Sequence, residues 1–437
     1  MRALLVAVLV GGCGVTPGID RVAEAVGEVD SGYPTPIERA MFMAANRARS
    51  DPSTVKGSSS TIYPAQAPLV FHKDLGRSAR FHATNLETGK APLMHPSPCT
   101  LKTDVGTSGC DGNPSCACTT GATCNSCSNC PDGTDPFVRI KYFYTPGGSG
   151  EIAAAGYQDP WGVMDGWVDE AAGQDGHRMI VDGAGYGLVG FGHAGGTSGA
   201  CWSTFDVGDF ASAKPTPAKI ASAAPKPYGG NAGTFRVYAT WNDPAGGAPK
   251  DLSASVDGKC VAMQKELGDP KLNATYYADV PLTAGCHPVF IVGHDAGGAR
   301  WAYPTTTAFT IGVGGGTCAV EMAQPASDCD AGNPGGGPDG GGSGGSGGGG
   351  SGGSGGGGTG GTGGGGDTGG AGGTGGGGTG GSGGGSANNP GGMNGGAGGC
   401  SMALTATTRG RTGIVAALYA LLLAGFVIRR RTSRRDR

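Results

Sequence analysis

Charge is scarce in this chain. Asp, Glu, Lys and Arg make up only 15% of 437 residues, the formal net charge is −3, and no basic stripe occurs before the last residues. A nucleic-acid partner would need a clustered positive surface, so that class is excluded. Gly-x-Ser-x-Gly and His-Glu-x-x-His are missing too, and with them the signals of a serine hydrolase and a helix-borne zinc protease. No twelve-residue EF-hand pattern is present. The apolar run near the C-terminus, Gly413 to Ile428, has 16 residues, short for a membrane-spanning helix though not incompatible with one.

Glycine, in contrast, reaches 93 residues, many of them in a Gly/Ser/Thr tract across 331–399. Such a tract cannot bury a core and is expected to be a disordered, flexible spacer. Removing it and both ends leaves two compact stretches, 33–212 and 226–318. The N-terminus, MRALLVAVLVGGC, has one positive charge, an apolar run and small residues before a cysteine. Those features make residues 1–13 a short export signal. Leu9-Val10-Gly11-Gly12-Cys13 resembles a bacterial lipobox with Cys13 as the lipidated residue; an ordinary secretory signal is the alternative.

Cysteine usage fits export. There are 14 cysteines. If Cys13 carries lipid and Cys400 stands alone beyond the spacer, twelve remain, an even number suited to disulfides in an oxidising compartment. Seven of them crowd between Cys99 and Cys130. Thiolates at the spacing Cys124-x-x-Cys127-x-x-Cys130 could hold zinc or an iron–sulfur cluster. An exported chain would oxidise them, so 99–135 is expected to be a disulfide-stapled insert, with its leftover cysteine paired to Cys201. Asp104, Asp111, Asp132 and Asp135 within it leave a calcium site open. Cys260 and Cys286 are expected to pair with each other.

Three helices announce themselves. Thr35-Pro36 with Glu38 is a capping box, and the apolar period from Ile37 to Ala48 ends before Asp51-Pro52. A second helix begins near Asp74, buries Leu75, Ala79, His82 and Leu86, and stops at Gly89. His82 therefore reads as a core histidine. His95 differs, because it sits in the loop Pro92-Leu93-Met94-His95-Pro96, where a side chain can be aimed at a site. A third helix opens at Asp159-Pro160 and buries Trp161, Met164 and Val168, with Trp167 beside them. Glu170 follows near its end, Asp169 being the alternative acid. His177-Arg178 then leads into Met179-Ile180-Val181, expected to be extended, followed by strands from Tyr186 to Gly192 and Cys201 to Val207.

Together these residues resemble the CAP superfamily, the secreted SCP-like domain. The matching features are Ala45-Asn46-Arg47-Ala48-Arg49, the helix bearing Leu75, Ala79, His82 and Asn85, and the loop histidine His95. Gly150-Glu151-Ile152, Trp167 to Glu170, Gly176-His177-Arg178 and Gly190-Phe191-Gly192 then follow in family order. The likeness covers about residues 35 to 210. It lacks the asparagine of the Gly-Glu-Asn-Ile signature and adds both the insert and a longer turn before His177. It implies an α+β, three-layer α-β-α sandwich with a cleft lined by His95, Glu151, Glu170 and His177. Two imidazoles and two carboxylates would suit Zn²⁺ or another divalent metal, or a structural hydrogen-bond network.

From Gly233 the apolar period becomes two. Strands are expected at 235–241, 252–256, 275–280, 287–292 and 308–313, separated by turn clusters such as Asp243-Pro-Ala-Gly-Gly and Asp295-Ala-Gly-Gly, as in a β-sandwich. This stretch resembles immunoglobulin-like modules, and His287 and His294 read as surface residues. The tail, 400–437, joins Gly-Cys-Ser, the apolar run and an arginine cluster, and resembles the MYXO-CTERM type of sorting signal. The expectation is an exported protein, held to the membrane through its processed ends and displayed at the cell surface. Its main expected role is binding an extracellular protein, lipid or polysaccharide. The alternatives are a metal-dependent extracellular hydrolase and a lipid- or sterol-binding protein.

Overall fold

Proline after a capping residue starts four helices among the described residues. The computed structural model describes residues 27–331, apart from 56–61, 121–123, 125–126, 128–129, 131, 146–148, 171–172, 228–232 and 315–316. The leader with Cys13, the spacer, Cys400 and the 413–428 run lie outside the described residues. Helix α1 spans Pro36–Ser50; Thr35 N donates to Glu38 Oε2 at 2.8 Å and Glu38 N to Thr35 Oγ1 at 3.3 Å, closing the capping box. Short α2 (Pro52–Val55) and β1 (Val70–Phe71) precede α3 (Lys73–Thr88), which ends at Gly89. Within the insert lies α4 (Pro114–Ala117). Asp135 caps α5 (Pro136–Phe143), and Asp159 caps α6 (Pro160–Val168). Asp135 thus satisfies helix N–H groups rather than joining a cluster of insert acids.

Strands β2 (Ser149–Ala155), β3 (Leu188–Gly195) and β4 (Thr204–Ala211) join β1 in a sheet ordered β1-β3-β4-β2, with β1 parallel to β3 and the other pairs antiparallel. The two later strands begin two to three residues beyond their expected starts. Residues 176–182 form a helix, α7, where Met179-Ile180-Val181 was expected to be extended. Tertiary contacts outweigh β-branched propensity here. Ile180 and Val181 are buried, while Arg178 pairs with Asp182 one turn on and donates to Pro52 O at 3.0 Å.

The two faces of the sheet bury different helices. Ile152, Val189, Phe191 and Phe210 pack against Met41, Phe42, Trp161, Trp167 and Ile180 of α1, α6 and α7. On the other face Phe205 and Val207 meet Ala79, Ala83 and Leu86 of α3, and Leu188 meets Leu75 and Ile140. Helix α3 lies so close to β3 that a Cβ on Gly190 would fall 1.8 Å from Gly76 N. The Gly-x-Gly strand exists to admit this helix. The chain is α+β.

All described residues belong to one unit. Its second half contains β5 (Ile220–Pro227), β6 (Thr234–Trp241), β7 (Asp251–Val256), β8 (Lys259–Ala262), β9 (Gln264–Asp269), β10 (Asn273–Pro281), β11 (Gly285–His294), β12 (Arg300–Tyr303), β13 (Thr307–Val313) and β14 (Glu321–Ala323). A sheet ordered β5-β6-β10-β9 faces another ordered β14-β13-β11-β7-β8, with β12 paired to β11. Trp241, Val237 and Ile220 of one meet Leu252, Val289 and Ile291 of the other. Helix α1 also packs on the first of these sheets, since Ala224 and Tyr238 share its core. Asn46 Nδ2 donates to Ser222 Oγ at 3.2 Å, and Asn273 Nδ2 donates to Asn46 O at 3.0 Å.

Six disulfides join the twelve described cysteines, as befits an extracellular or secreted protein. Three lie within the insert, and Cys127 bonds Cys201. Cys260 and Cys286 do not pair with each other; their partners are Cys329 and Cys318. Strand β7 separates β8 from β11, which puts their backbones about 10 Å apart, beyond disulfide reach. No helix among the described residues is long and apolar enough to cross a membrane.

Candidate functional site

His95 leaves α3 through its Pro-bracketed loop and meets Glu151 on β2, the edge strand of the first sheet. His95 Nδ1 lies 2.8 Å from Glu151 Oε1. The second carboxylate oxygen accepts from Arg139 Nη2 of α5. Arg139 and Glu151 side chains are only 0% and 1% exposed, whereas His95 retains 14%. Burial alone would raise the Glu151 carboxyl, but Arg139 foremost, then His82 and His95, hold it down at about 2. An ionised carboxylate only accepts, so the His95 proton resides on Nδ1 and Nε2 is left as the outward nitrogen.

The second pair has the same form. Glu170 follows the end of α6 and His177 stands in the first turn of α7; His177 Nδ1 lies 2.6 Å from Glu170 Oε1. Glu170 Oε2 accepts from the Arg178 backbone N–H at 3.1 Å. Glu170 is buried, and His177 keeps 15% of its side chain exposed. Asp169, the other candidate acid, instead caps the helix through its N–H to Asp165 O.

The four expected site residues therefore form two His–Glu pairs. No hydrogen bond or ion pair among the described residues joins one pair to the other. Each carboxylate already has two protein donors, and each ring keeps its Nε2. Among the described residues no group of three or more His, Cys, Asp or Glu is arranged to hold a metal ion.

Several polar residues of this region escaped the sequence reading. His193 on β3 faces Asp206 on β4 in register, with Nδ1 2.8 Å from Oδ1. The hydrogen bond to Asp206 raises the His193 pKa against the effect of burial. The signal was a histidine and an acid on adjacent strands, which needs the register to be visible. Asp209 sits opposite Glu151 in the β2–β4 ladder, fully buried, and burial followed by the Glu151 charge raises its carboxyl well above the usual range. His82 is a core histidine as expected: its Nε2 lies 2.9 Å from Met94 O, and burial pushes it down to about 3. His287 and His294, expected at the surface, are mostly covered and bond Asp257 and Asp251.

A groove of about 690 Å³ lies elsewhere, lined by Tyr33, Lys73, Arg77, Arg80, Asp111 and Phe143 among others. It contains none of the paired residues, and its charged lining does not suit a sterol. No protein-family model and no curated protein matches the chain.

Proposed function

We propose that this chain is an exported CAP-type binding module, residues 33–212, carried beside an immunoglobulin-like sandwich and displayed on the cell envelope through its processed ends. Its ligand is an extracellular protein, a lipid headgroup or a polysaccharide. The observation that supports this best is the pair of imidazoles whose Nδ1 atoms are each fixed by a buried glutamate. A carboxylate partner sets the tautomer and holds the ring, leaving Nε2 ready for an incoming group. Both pairs fall on the positions that carry the CAP resemblance.

The proposal extends to a divalent ion such as Zn²⁺, which His95 and His177 Nε2 would hold with Glu151 and Glu170 as outer partners, although the described residues form no ready group of three ligands. When bound it would supply a positive centre for a carbonyl or anionic group of the ligand. A catalytic zinc site has three protein ligands and an open water position. Here both acids are committed to protein donors, so binding is better supported than hydrolysis. The test compares the wild-type protein with a His95→Ala/His177→Ala variant on cell-wall polysaccharide, anionic and neutral lipid vesicles, and surface-protein extracts. One class should bind wild type and lose at least about tenfold in the variant, roughly 1.4 kcal/mol. Equal binding by both proteins would refute the assignment.

A further inference from the structure

Among the described residues, Arg139 is the fully buried cation that touches both the backbone and the partner of His95. Its Nη2 donates to Glu151 Oε2, and its Nη1 donates to His95 O at 3.0 Å and to Ser97 Oγ at 3.1 Å. A planar guanidinium reaches these acceptors from two separate nitrogens held in a rigid fork, which the single nitrogen of an ammonium cannot reproduce. The residue belongs to α5, the helix that leaves the disulfide insert.

The insert is itself fastened to the His95 loop. Ser97 N donates to Thr134 O at 2.8 Å, Gly133 N to Ser97 O at 2.9 Å, and Thr134 N to Cys99 O at 3.0 Å. Thr134 Oγ1 accepts from Leu101 N at 2.8 Å. The approach is close enough that a Cβ on Gly133 would fall 2.0 Å from Cys99 O. Cys99, in the middle of this ladder, is bonded to Cys118. The end of the insert therefore arrives beside His95 in a fixed register, and α5 starts two residues later.

We propose that Arg139 is the positioning residue of the His95–Glu151 pair, and that the oxidised insert delivers it. The insert then does more than decorate the surface. It completes the site only after its cysteines have closed, so the pair is assembled after export and not before. This rests on the reading of His95–Glu151 as part of the binding site, but its test concerns the geometry of the pair alone.

Ring N–H signals of the full chain in NMR provide that test. The hydrogen bonds from Nδ1 of His95 and His177 should each give a protected, strongly deshielded proton. In Arg139→Met the His95 signal should vanish or exchange with water at least tenfold faster, while that of His177 stays unchanged. A Cys99→Ser/Cys118→Ser variant should lose the His95 signal in the same way. If Arg139→Met also loses the His177 signal, the fold has failed, and Arg139→Lys decides. That variant keeps the charge but not the two-nitrogen fork, so at least tenfold faster exchange at His95 is still expected. A His95 signal as protected as in wild type in Arg139→Met or Arg139→Lys would overturn the positioning role. The same result in the cysteine variant would overturn delivery by the insert. Ligand binding could fail in the wild type without altering any of these outcomes.

Discussion

Replacing Glu151 by Gln removes one charge and almost no volume. The amide oxygen can still accept from His95, so the change isolates the ion pair with Arg139. Both side chains are buried. The variant leaves a buried guanidinium without its bonded carboxylate, and breaking a buried pair from one side costs about 3–5 kcal/mol. At a urea dependence of about 3 kcal/mol/M, the unfolding midpoint should fall by about 1–1.7 M at pH 7. The effect must also depend on pH. Glu151 is held at about 2, against 4.5 for an ordinary glutamate. A depressed folded-state pKa contributes stability above the ordinary value and loses it as pH falls through the folded one. The gap between wild type and variant should therefore narrow from about pH 4.5 downward. A midpoint difference below about 0.3 M at pH 7, or a gap unchanged to pH 3, would refute the reasoning.

Three further changes test the fold and the pair that sequence reasoning missed. Gly190→Ala would push a methyl into the backbone of α3 and should cost about 3 kcal/mol or more in urea unfolding; Gly185→Ala, where a Cβ meets nothing within 4 Å, should change stability by less than about 0.5 kcal/mol. His193→Gln should destabilise more at about pH 5.5 than at about pH 8.5, because a raised histidine pKa gives stability that is lost as pH climbs through it.

Much of the first half was legible from local chemistry. Thr35-Pro36 with Glu38, Asp159-Pro160 and the stop at Gly89 fix helix ends through groups within one turn. Such signals survive whatever the rest of the chain does. The parity of the cysteines and a bond from the insert to Cys201 were also accessible, because an odd count in an oxidised loop demands an outside partner; that the insert's member is Cys127 was not. What failed depended on neighbours far along the chain. The 179–181 segment looked extended, but becomes a helix when Ile180 and Val181 are buried against α1 and Arg178 reaches Pro52. Strand β5, rich in alanine and holding Pro225 and Pro227, gave no strand signal; it lies at a sheet edge, where proline is tolerated.

The candidate site divides along the same line. His95, Glu151, Glu170 and His177 could be singled out by motif order. That they would form two separate hydrogen-bonded pairs could not, because the second donor on Glu151 comes from another helix. Arg139 had no signal of its own, since the helix that carries it was not read from the sequence. The Cys260 and Cys286 partners depended on strand order, which alternation of apolar residues does not specify.

The central claim is that His95 and His177 serve one binding site through their Nε2 atoms. Zn²⁺ added to the full chain in substoichiometric steps, with both rings followed by nitrogen NMR, tests it most directly. The account predicts that the Nε2 signals of His95 and His177 move together and stop at one Zn²⁺ per chain, with His193 unmoved. Movement of only one of the two rings, of neither, or saturation at two ions per chain would contradict it.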